Sequence, residues 1–537
     1  MSKFSAAKAL RRGRPGVSVL ATPSSVPTLR TFEGGAGYAR DQKAELFLLA
    51  VSNLVGEDTF YERAYQRDLR FRELVATVTA DDPDWVAGLV AHLRGALHLR
   101  SVALVTAVES ALARRADPNV NAKSTVPVRE LIASALQRAD EPAELIAYWK
   151  LRTGKVTLPG GVQRGVADAV ARLYTERAAL KYDGGARGIR MGDVLELVHP
   201  RPTAPWQGDL FAWLLDRRHH SDAVRTPLTR LPMIAANAEL RAVPLVQRRA
   251  VLHEPERLAA AGMTWEELSG WLADGQGMDA KAWESAIPSM GYMALLRNLR
   301  SFDAVGISVA ARRAVFDRLI DAEQVARSRQ MPLRFLSAFD AVASLEWGAA
   351  LEGALELSLQ NVPAFATSTL VLIDTSGSMT SRPVSRHSTR TPADVAILFG
   401  LALAKRSPTV DVVAFATGSM PFTFRKGGAL LREVERFRGV AGAVGHGTET
   451  AAAVRKHFRK HDRVVILSDE QAFDDQVGVS ASVPAHVPLH TFNVVGYRAG
   501  HTEAMGNRFV WGGLTDAAFG LMQLIESGQD ARWPWAP

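Results

Sequence analysis

The chain changes its hydrophobic periodicity near residue 362, and this change limits the folds open to it. From about residue 41 to 361, apolar residues recur at three- and four-residue spacing, which is typical of amphipathic helices. Beyond 362, β-branched apolar runs alternate with helical stretches, which indicates a doubly wound α/β domain. A chain of 537 residues is expected to form at least two domains, and we place their boundary near residue 362.

The first region consists of short predicted helices separated by breakers such as Asp-Asp-Pro at 81–83 and Pro-Gly-Gly at 159–161. Thr264 followed by Glu267 predicts a capping box at the start of one helix. Many short helices with brief connectors predict stacked helix pairs of the HEAT kind. Residues 1–30 are predicted to form a basic arm ahead of them.

Composition and charge exclude several classes of protein. The chain has no cysteine, which excludes disulfides, thiolate zinc sites and cysteine nucleophiles and favours a cytoplasmic location. No apolar run approaches the roughly 18–20 residues that cross a bilayer, so no membrane partner is expected. The net charge of +8 favours polyanionic partners. The basic signal is concentrated in residues 150–201, where ten Lys and Arg face five Asp and Glu.

Candidate metal ligands follow several predicted strands of the C-terminal region. The first strand ends in a D-x-S-x-S loop, and two further oxygen-bearing side chains stand at other strand ends. Carboxyl ends of parallel strands meet at one edge of a sheet, and Mg²⁺ prefers about six oxygen ligands. A turn with a helix N-cap would also explain the first loop taken alone. The three loops together predict a divalent-metal site, with Mg²⁺ or Mn²⁺ bound by Asp374, Ser376, Ser378, Thr448 and Asp469.

Three segments of the helical region carry a family resemblance: EGGAGY (33–38), AWESAIPSMGYMALLRNLR (282–300) and MPLRFLSAF (331–339). They resemble signatures of the TROVE domain in the Ro autoantigen family. The five candidate ligands resemble the metal-ion-dependent adhesion site of von Willebrand factor A domains. The resemblance implies a HEAT-like helical-repeat ring over 31–362, closed by a von Willebrand factor A domain over 363–537.

The same resemblance implies a non-catalytic, monomeric RNA-binding protein. Such a protein binds small non-coding Y-like RNA on an outer basic surface and the single-stranded 3′ ends of misfolded RNAs in the ring's central hole. It serves RNA quality control or acts as a scaffold for an exoribonuclease.

Lys and Arg on that surface neutralise phosphates, and Tyr or His stacks on bases. The candidate RNA contacts are Arg164, Lys181, Tyr182, Arg187, Arg190, His199 and Arg201. Solvated faces of amphipathic helices are the plainer explanation of these residues. Gln163-Arg164 also departs from the family, whose members often carry two basic residues there.

Two other functions remain open. The resemblance to a metal-ion-dependent adhesion site implies that one position of the ion is free, so the protein is alternatively a metal-dependent interaction module that captures acidic partner peptides. A metal-dependent nuclease is disfavoured, because the loop is rich in hydroxyls and a two-metal nuclease needs several converging carboxylates.

Overall fold

The computed structural model describes residues 26–52, 55–184, 188–220, 225–273, 275–360, 362–503, 506–513, 519–526 and 533–535. Packing divides the chain into two compact units. The α/β unit comprises Met1–Val102, Gln330–Phe339 and Glu352–Pro537. The helical unit comprises Ala103–Arg329 and Asp340–Leu351. No helix among the described residues is both long and apolar enough to span a bilayer.

The described strands all lie in the α/β unit. They are β1 (Leu29–Arg30), β2 (Ala36–Gly37), β3 (Thr369–Asp374), β4 (Val410–Phe415), β5 (Ser419–Phe422), β6 (Arg463–Ser468), β7 (Leu489–Asn493) and β8 (Arg508–Gly512). β1 and β2 form an antiparallel pair, and the other strands form one sheet in the order β5-β4-β3-β6-β7-β8. The edge strand β5 is antiparallel to β4, and all other neighbours are parallel.

The described helices are numbered in chain order through both units. They are α1 (Gln42–Ser52), α2 (Ala64–Asp81), α3 (Pro83–Gly95), α4 (Arg100–Ala116), α5 (Pro118–Lys123), α6 (Val128–Ala135), α7 (Glu141–Thr153), α8 (Gly160–Leu173), α9 (Glu176–Tyr182), α10 (Met191–Val198), α11 (Pro205–His219), α12 (Pro232–Arg241), α13 (Pro255–Ala260), α14 (Trp265–Leu272), α15 (Ala280–Ala286), α16 (Tyr292–Val305), α17 (Val309–Leu319), α18 (Ala322–Ser328), α19 (Pro332–Phe339), α20 (Leu345–Ser358), α21 (Gly377–Thr380), α22 (Pro392–Arg406), α23 (Leu430–Arg438), α24 (Thr450–His457) and α25 (Phe519–Glu526). Short 3₁₀ turns lie at Leu245–His253, Ile287–Ser289 and Ser480–Ser482.

Helices cover both faces of the sheet, as the apolar strands require. Because side chains alternate along a strand, Leu370 and Leu372 of β3 join a buried cluster with Val454 of α24. The alternate residues of β3, Val371 and Ile373, face α22. This helix is buried along most of its length. A Cβ atom at Gly400 of α22 would lie 2.6 Å from Cδ1 of Ile373, so glycine lets this helix pack directly on the sheet.

The N-terminal helices belong to the α/β unit by packing. Ser52 of α1 donates a hydrogen bond to the Asn493 carbonyl at 3.0 Å. The buried guanidinium of Arg67 in α2 donates to the Val495 carbonyl at 2.6 Å. The compact units therefore differ from the sequence boundary near residue 362. Helical periodicity describes each helix by itself and carries no signal for these contacts between distant parts of the chain.

In the helical unit, helices close in sequence pack on one another. α6 packs on α8, α8 on α10, and α10 on α11, while α16 packs on α17 and α18. The capping box at α14 is confirmed, since the Thr264 hydroxyl accepts from the Glu267 amide at 3.2 Å and the Glu267 carboxylate accepts from the Thr264 amide at 3.1 Å. Such pairing of successive helices is the pattern expected of stacked repeats.

Candidate functional site

The order of the strands places two of the predicted ligands at one point of the sheet. Counted from β3, the strand order is 3-2-1-4-5-6, and it reverses direction between β3 and β6. Ligands of doubly wound sheets bind at the carboxyl ends of the strands beside such a switch point. Asp374 is the last residue of β3, and Asp469 directly follows β6.

The D-x-S-x-S loop is held in a tight turn by its own carboxylate. Oδ1 of Asp374 accepts a hydrogen bond from the Ser376 amide at 2.9 Å, and Oδ2 accepts from the Ser468 hydroxyl at 2.6 Å. The hydroxyls of Ser376 and Ser378 lie 3.3 Å apart. The loop thus brings one carboxylate and two hydroxyls together. Sequence reasoning missed Ser468, which orients Asp374 from the neighbouring strand.

Main-chain hydrogen bonds join the three ligand-bearing loops to one another. The Gly377 amide donates to the His446 carbonyl at 2.8 Å, and the Phe473 amide donates to the Thr448 carbonyl at 3.0 Å. Thr448 itself is buried, as are Ser376 and Ser378. The structure therefore brings all five predicted ligands to one edge of the sheet.

The two carboxylates of this edge are fully buried. Burial raises the pKa of the Asp374 carboxyl, and hydrogen bonds from Ser468 and Ser376 lower it by less. Burial also raises the pKa of Asp469, and the negative charge of Asp374 raises it further. Within the described ranges, Oδ2 of Asp469 has no hydrogen-bond partner. Burying charge without compensation is costly, so this donor set of carboxylates and hydroxyls fits a hard divalent cation.

The residue after Asp469 has a strained backbone. Glu470 has a φ of 63°, in the left-handed region that glycine favours. Its buried carboxylate forms an ion pair with Arg40 and accepts a hydrogen bond from the side-chain amide of Asn493 at 2.8 Å. These contacts hold the loop after β6 in one conformation. Local strain of this kind clusters at binding sites.

Residues 381–390, which follow the metal loop, carry three arginines, and two of these pair with carboxylates. Arg382 lies 3.7 Å from the Asp58 carboxylate, and Arg386 lies 3.4 Å from that of Glu57. Both are surface ion pairs. They leave little net positive charge on these two arginines to steer an anionic partner.

The predicted RNA contacts fall into two groups in the helical unit. The side-chain amide of Gln163 in α8 donates to the Leu197 carbonyl at 3.1 Å, which brings Arg164 to the end of α10 that carries His199 and Arg201. Lys181 and Tyr182 end α9, and an ion pair between Asp183 and Arg190 ties them to the start of α10. α10 has eight residues and is therefore about 12 Å long, so the two groups lie at its opposite ends. Arg187 lies outside the described residues.

The members of these groups differ in solvent exposure and in whether their charges form ion pairs. Arg164, Lys181, His199 and Arg201 are exposed. Arg190 is mostly buried and pairs at 3.0 Å with the buried carboxylate of Asp183, which Arg217 also approaches at 3.4 Å. The guanidinium of Arg190 therefore supports the α9–α10 connection. The charged ends of Lys181 and Arg138 lie 5.2 and 5.5 Å from the centroid of the Tyr182 ring.

A groove of about 570 Å³ beside Arg164 adds basic residues that sequence reasoning missed. It is lined by Arg115 of α4 and Arg129 of α6 among others. Arg115 is exposed, while Arg129 forms a two-point ion pair with Asp168 at 2.6 and 2.8 Å. These arginines stand outside residues 150–201, so only the fold reveals that they share a groove with Arg164.

Comparison with known proteins supports the family resemblance. A TROVE domain family model matches residues 259–388. The RNA-binding protein RO60 of Deinococcus radiodurans is 24% identical over 489 residues, which cover 84% of this chain and 84% of that protein. The chain thus carries a match to the TROVE domain and is similar over most of its length to a Ro protein. The family resemblance seen in the sequence is thereby confirmed.

A solved structure confirms the fold class. The crystal structure of the Deinococcus radiodurans RO (RSR) protein matches with a TM-score of 0.60 and 18% sequence identity, covering 91% of this chain and 100% of that chain. A helical-repeat region combined with a doubly wound α/β region is therefore the fold. Telomerase protein component 1 of Mus musculus and of Rattus norvegicus is 38% identical over 102 residues. That match spans 18% of this chain and only 3% of those proteins.

Proposed function

We propose that this chain is a non-catalytic RNA-binding protein of the Ro type. The observation that carries the proposal is the alignment with the D. radiodurans RNA-binding protein RO60 over 84% of both chains. The exposed cations of the helical unit support it. Phosphates supply most of the affinity in such interfaces, and exposed Lys and Arg bind them at little desolvation cost.

The finer parts of the proposal follow the family resemblance. The RNA is a small Y-like non-coding RNA on the outer basic surface, and the 3′ ends of misfolded RNAs enter a central hole. The protein then serves RNA quality control in the cytoplasm or acts as a scaffold for an exoribonuclease.

Within this proposal, the RNA surface combines charge and stacking. Arg164, Lys181 and Arg201 contact phosphates, and the groove beside Arg164 extends that surface to Arg115. His199 and Tyr182 supply rings for base stacking, which is worth about 1–3 kcal/mol per base. Arg190 acts indirectly, because its ion pair with Asp183 fixes the connection between the two groups.

The α/β unit is proposed to hold one Mg²⁺ or Mn²⁺. Asp374, Ser376, Ser378, Thr448 and Asp469 would supply the oxygen ligands, and the ion would neutralise the buried carboxylate pair. The unpartnered Oδ2 of Asp469 and the raised pKa of both carboxyls support this assignment.

A salt titration of RNA binding tests the proposal. The full-length protein and an Arg164→Glu/Lys181→Glu variant are titrated with a structured small RNA between 50 and 300 mM salt. The matched control, Arg313→Glu/Arg327→Glu, changes the net charge equally at two exposed arginines that pair with helix neighbours. Each phosphate contact contributes a salt slope of about 0.7–0.9, so the first variant should reduce the slope by about 1.4–1.8.

The control variant should keep the slope of the wild type. Equal slopes for all three proteins would remove these residues from the RNA surface. No RNA binding by the wild type would overturn the proposed function and favour the alternative, capture of acidic peptides at the metal site.

A further inference from the structure

An N-terminal segment of the chain lies directly on the loop that carries Asp469. Residues 29–38, called the strap here, pair with this loop through a bridge between Gly34 and Phe473. The Thr31 hydroxyl donates to the Ala472 carbonyl at 2.7 Å. A Cβ atom at Gly35 would lie 2.7 Å from the Phe473 carbonyl oxygen, so the two backbones are in close contact.

The strap is fixed by contacts that need no metal. The side-chain oxygen of Gln471 accepts from the Phe32 amide at 2.9 Å, and the Tyr38 amide donates to the Gly500 carbonyl at 2.9 Å. Just beyond the strap, Arg40 forms the buried ion pair with Glu470. The strap is therefore held by contacts that do not involve the proposed metal ligands.

Glu33 of the strap is linked to the metal loop through Tyr61. The Tyr61 hydroxyl donates a hydrogen bond to the Glu33 carboxylate. Burial raises the pKa of Tyr61, and the Glu33 carboxylate and the charge of Asp469 raise it further. The Ser378 hydroxyl lowers it by less, so the Tyr61 hydroxyl lies near the metal loop. Its ring is stacked on Phe32 at 4.7 Å and packs edge-on against Tyr497 at 5.5 Å. The position of Tyr61 is thus determined by packing, and it joins Glu33 to two of the proposed ligands.

A small cavity lies beside Ser378 of the metal loop. A cavity of about 30 Å³ is lined by Ser378 with Thr59, Arg382 and Tyr497. A cavity needs about 10–15 Å³ to hold one water. That cavity therefore has room for one or two waters.

We propose that Glu33 is the internal acid of this metal site: its carboxylate, positioned by the Tyr61 hydroxyl, takes the side of the ion that an acidic partner would otherwise occupy. The inference rests on the proposed divalent ion. Besides the contacts of Glu33, the buried and unpartnered Oδ2 of Asp469 points to a cation at this edge. The site is then closed by the chain's own strap, and the ion completes a structure within the α/β unit.

Mn²⁺ binding to the full-length protein, measured by calorimetry in carboxylate-free buffer, tests this inference. Groups that support a metal site typically contribute 10–100-fold to its affinity, so Glu33→Gln should weaken Mn²⁺ binding by about 10- to 100-fold. The matched control is Glu57→Gln, which removes a nearby carboxylate that pairs with Arg386. Its affinity should stay within about twofold of the wild type, on the same reasoning.

Chemical rescue adds a readout that a folding defect would not give. Sodium acetate should restore Mn²⁺ affinity to Glu33→Ala and leave the wild type unchanged. Wild-type affinity in Glu33→Gln, or tighter binding of acetate by the wild type than by Glu33→Ala, would overturn the role of Glu33. Failure of the wild type to bind Mn²⁺, or wild-type affinity in Asp374→Asn, would instead overturn the metal site itself.

Discussion

Replacing Asp374 with Asn should change stability in opposite directions with and without a divalent ion. Asp374 and Asp469 are both fully buried, and the charge of Asp374 adds to the raised pKa of Asp469. Without an ion, Asp374→Asn removes this repulsion, so the variant should be at least as stable as the wild type at pH 7.5. With an ion, the variant loses a charged ligand and should be the less stable protein.

The size of the effect follows from linkage. At an ion concentration 100 times the dissociation constant, binding stabilises the native state by about 2.7 kcal/mol. At roughly 2 °C per kcal/mol for a domain of this size, the wild-type Tm should rise by about 5 °C, and that of Asp374→Asn should not change.

Thermal melting in EDTA and in Mg²⁺ or Mn²⁺ measures the stability change of the variant without and with the ion. Asp462→Asn is the matched control, because Asp462 accepts from the Ser368 amide and hydroxyl at 2.9 and 2.8 Å, away from the ligand set. Asp462→Asn should be less stable than the wild type by the same amount in EDTA and in the metal-containing buffer. If Asp374→Asn behaves in this way too, Asp374 is a turn and cap residue and the metal assignment is refuted.

Two further predictions concern stability. Burial alone would raise the pKa of Glu526, but hydrogen bonds from Arg463 and His490 outweigh it and lower the pKa to about 2. Glu526→Gln should therefore be about 3 kcal/mol less stable than the wild type at pH 7 in urea unfolding. This difference between the two proteins should shrink as the pH falls from 4.5 towards 2. A difference that stays constant over that range would contradict the ion-pair account. Gly165→Ala should destabilise by about 1–3 kcal/mol, because its Cβ would lie 2.8 Å from the Cβ of Ile132. Gly270→Ala should stabilise by about 0.5–1 kcal/mol, since no atom lies within 4 Å of its Cβ; equal signs for the two glycine variants in chemical denaturation would refute the packing argument.

Sequence predicted best those features whose partners lie close together in the chain. The capping box of Thr264 and Glu267 spans three residues, so its pattern is visible and the structure confirms it. The metal loop is similar, because D-x-S-x-S is local and the strand end before Asp469 follows from strand periodicity. Thr448 was expected at a strand end too, but it lies in the loop between α23 and α24. Their assignment as metal ligands stays a prediction.

Features that depend on distant contacts were not predictable. Tyr61 meets Tyr497 across more than 400 residues, and the strap meets the loop after β6 over a similar separation. Counting charges also cannot show which arginines are free. Arg190 and Arg152 raise the basic count of residues 150–201, yet each pairs with a buried carboxylate.

The central claim, that this protein binds RNA as a Ro-type protein, is tested most directly by purifying it from its source under native conditions and sequencing the RNA that accompanies it. The account predicts enrichment of a discrete, small structured RNA, released by raised salt and reduced in the Arg164→Glu/Lys181→Glu variant. Recovery of no discrete RNA with the wild type, or equal RNA yields from the wild type, the Arg164→Glu/Lys181→Glu variant and the Arg313→Glu/Arg327→Glu control, would contradict it.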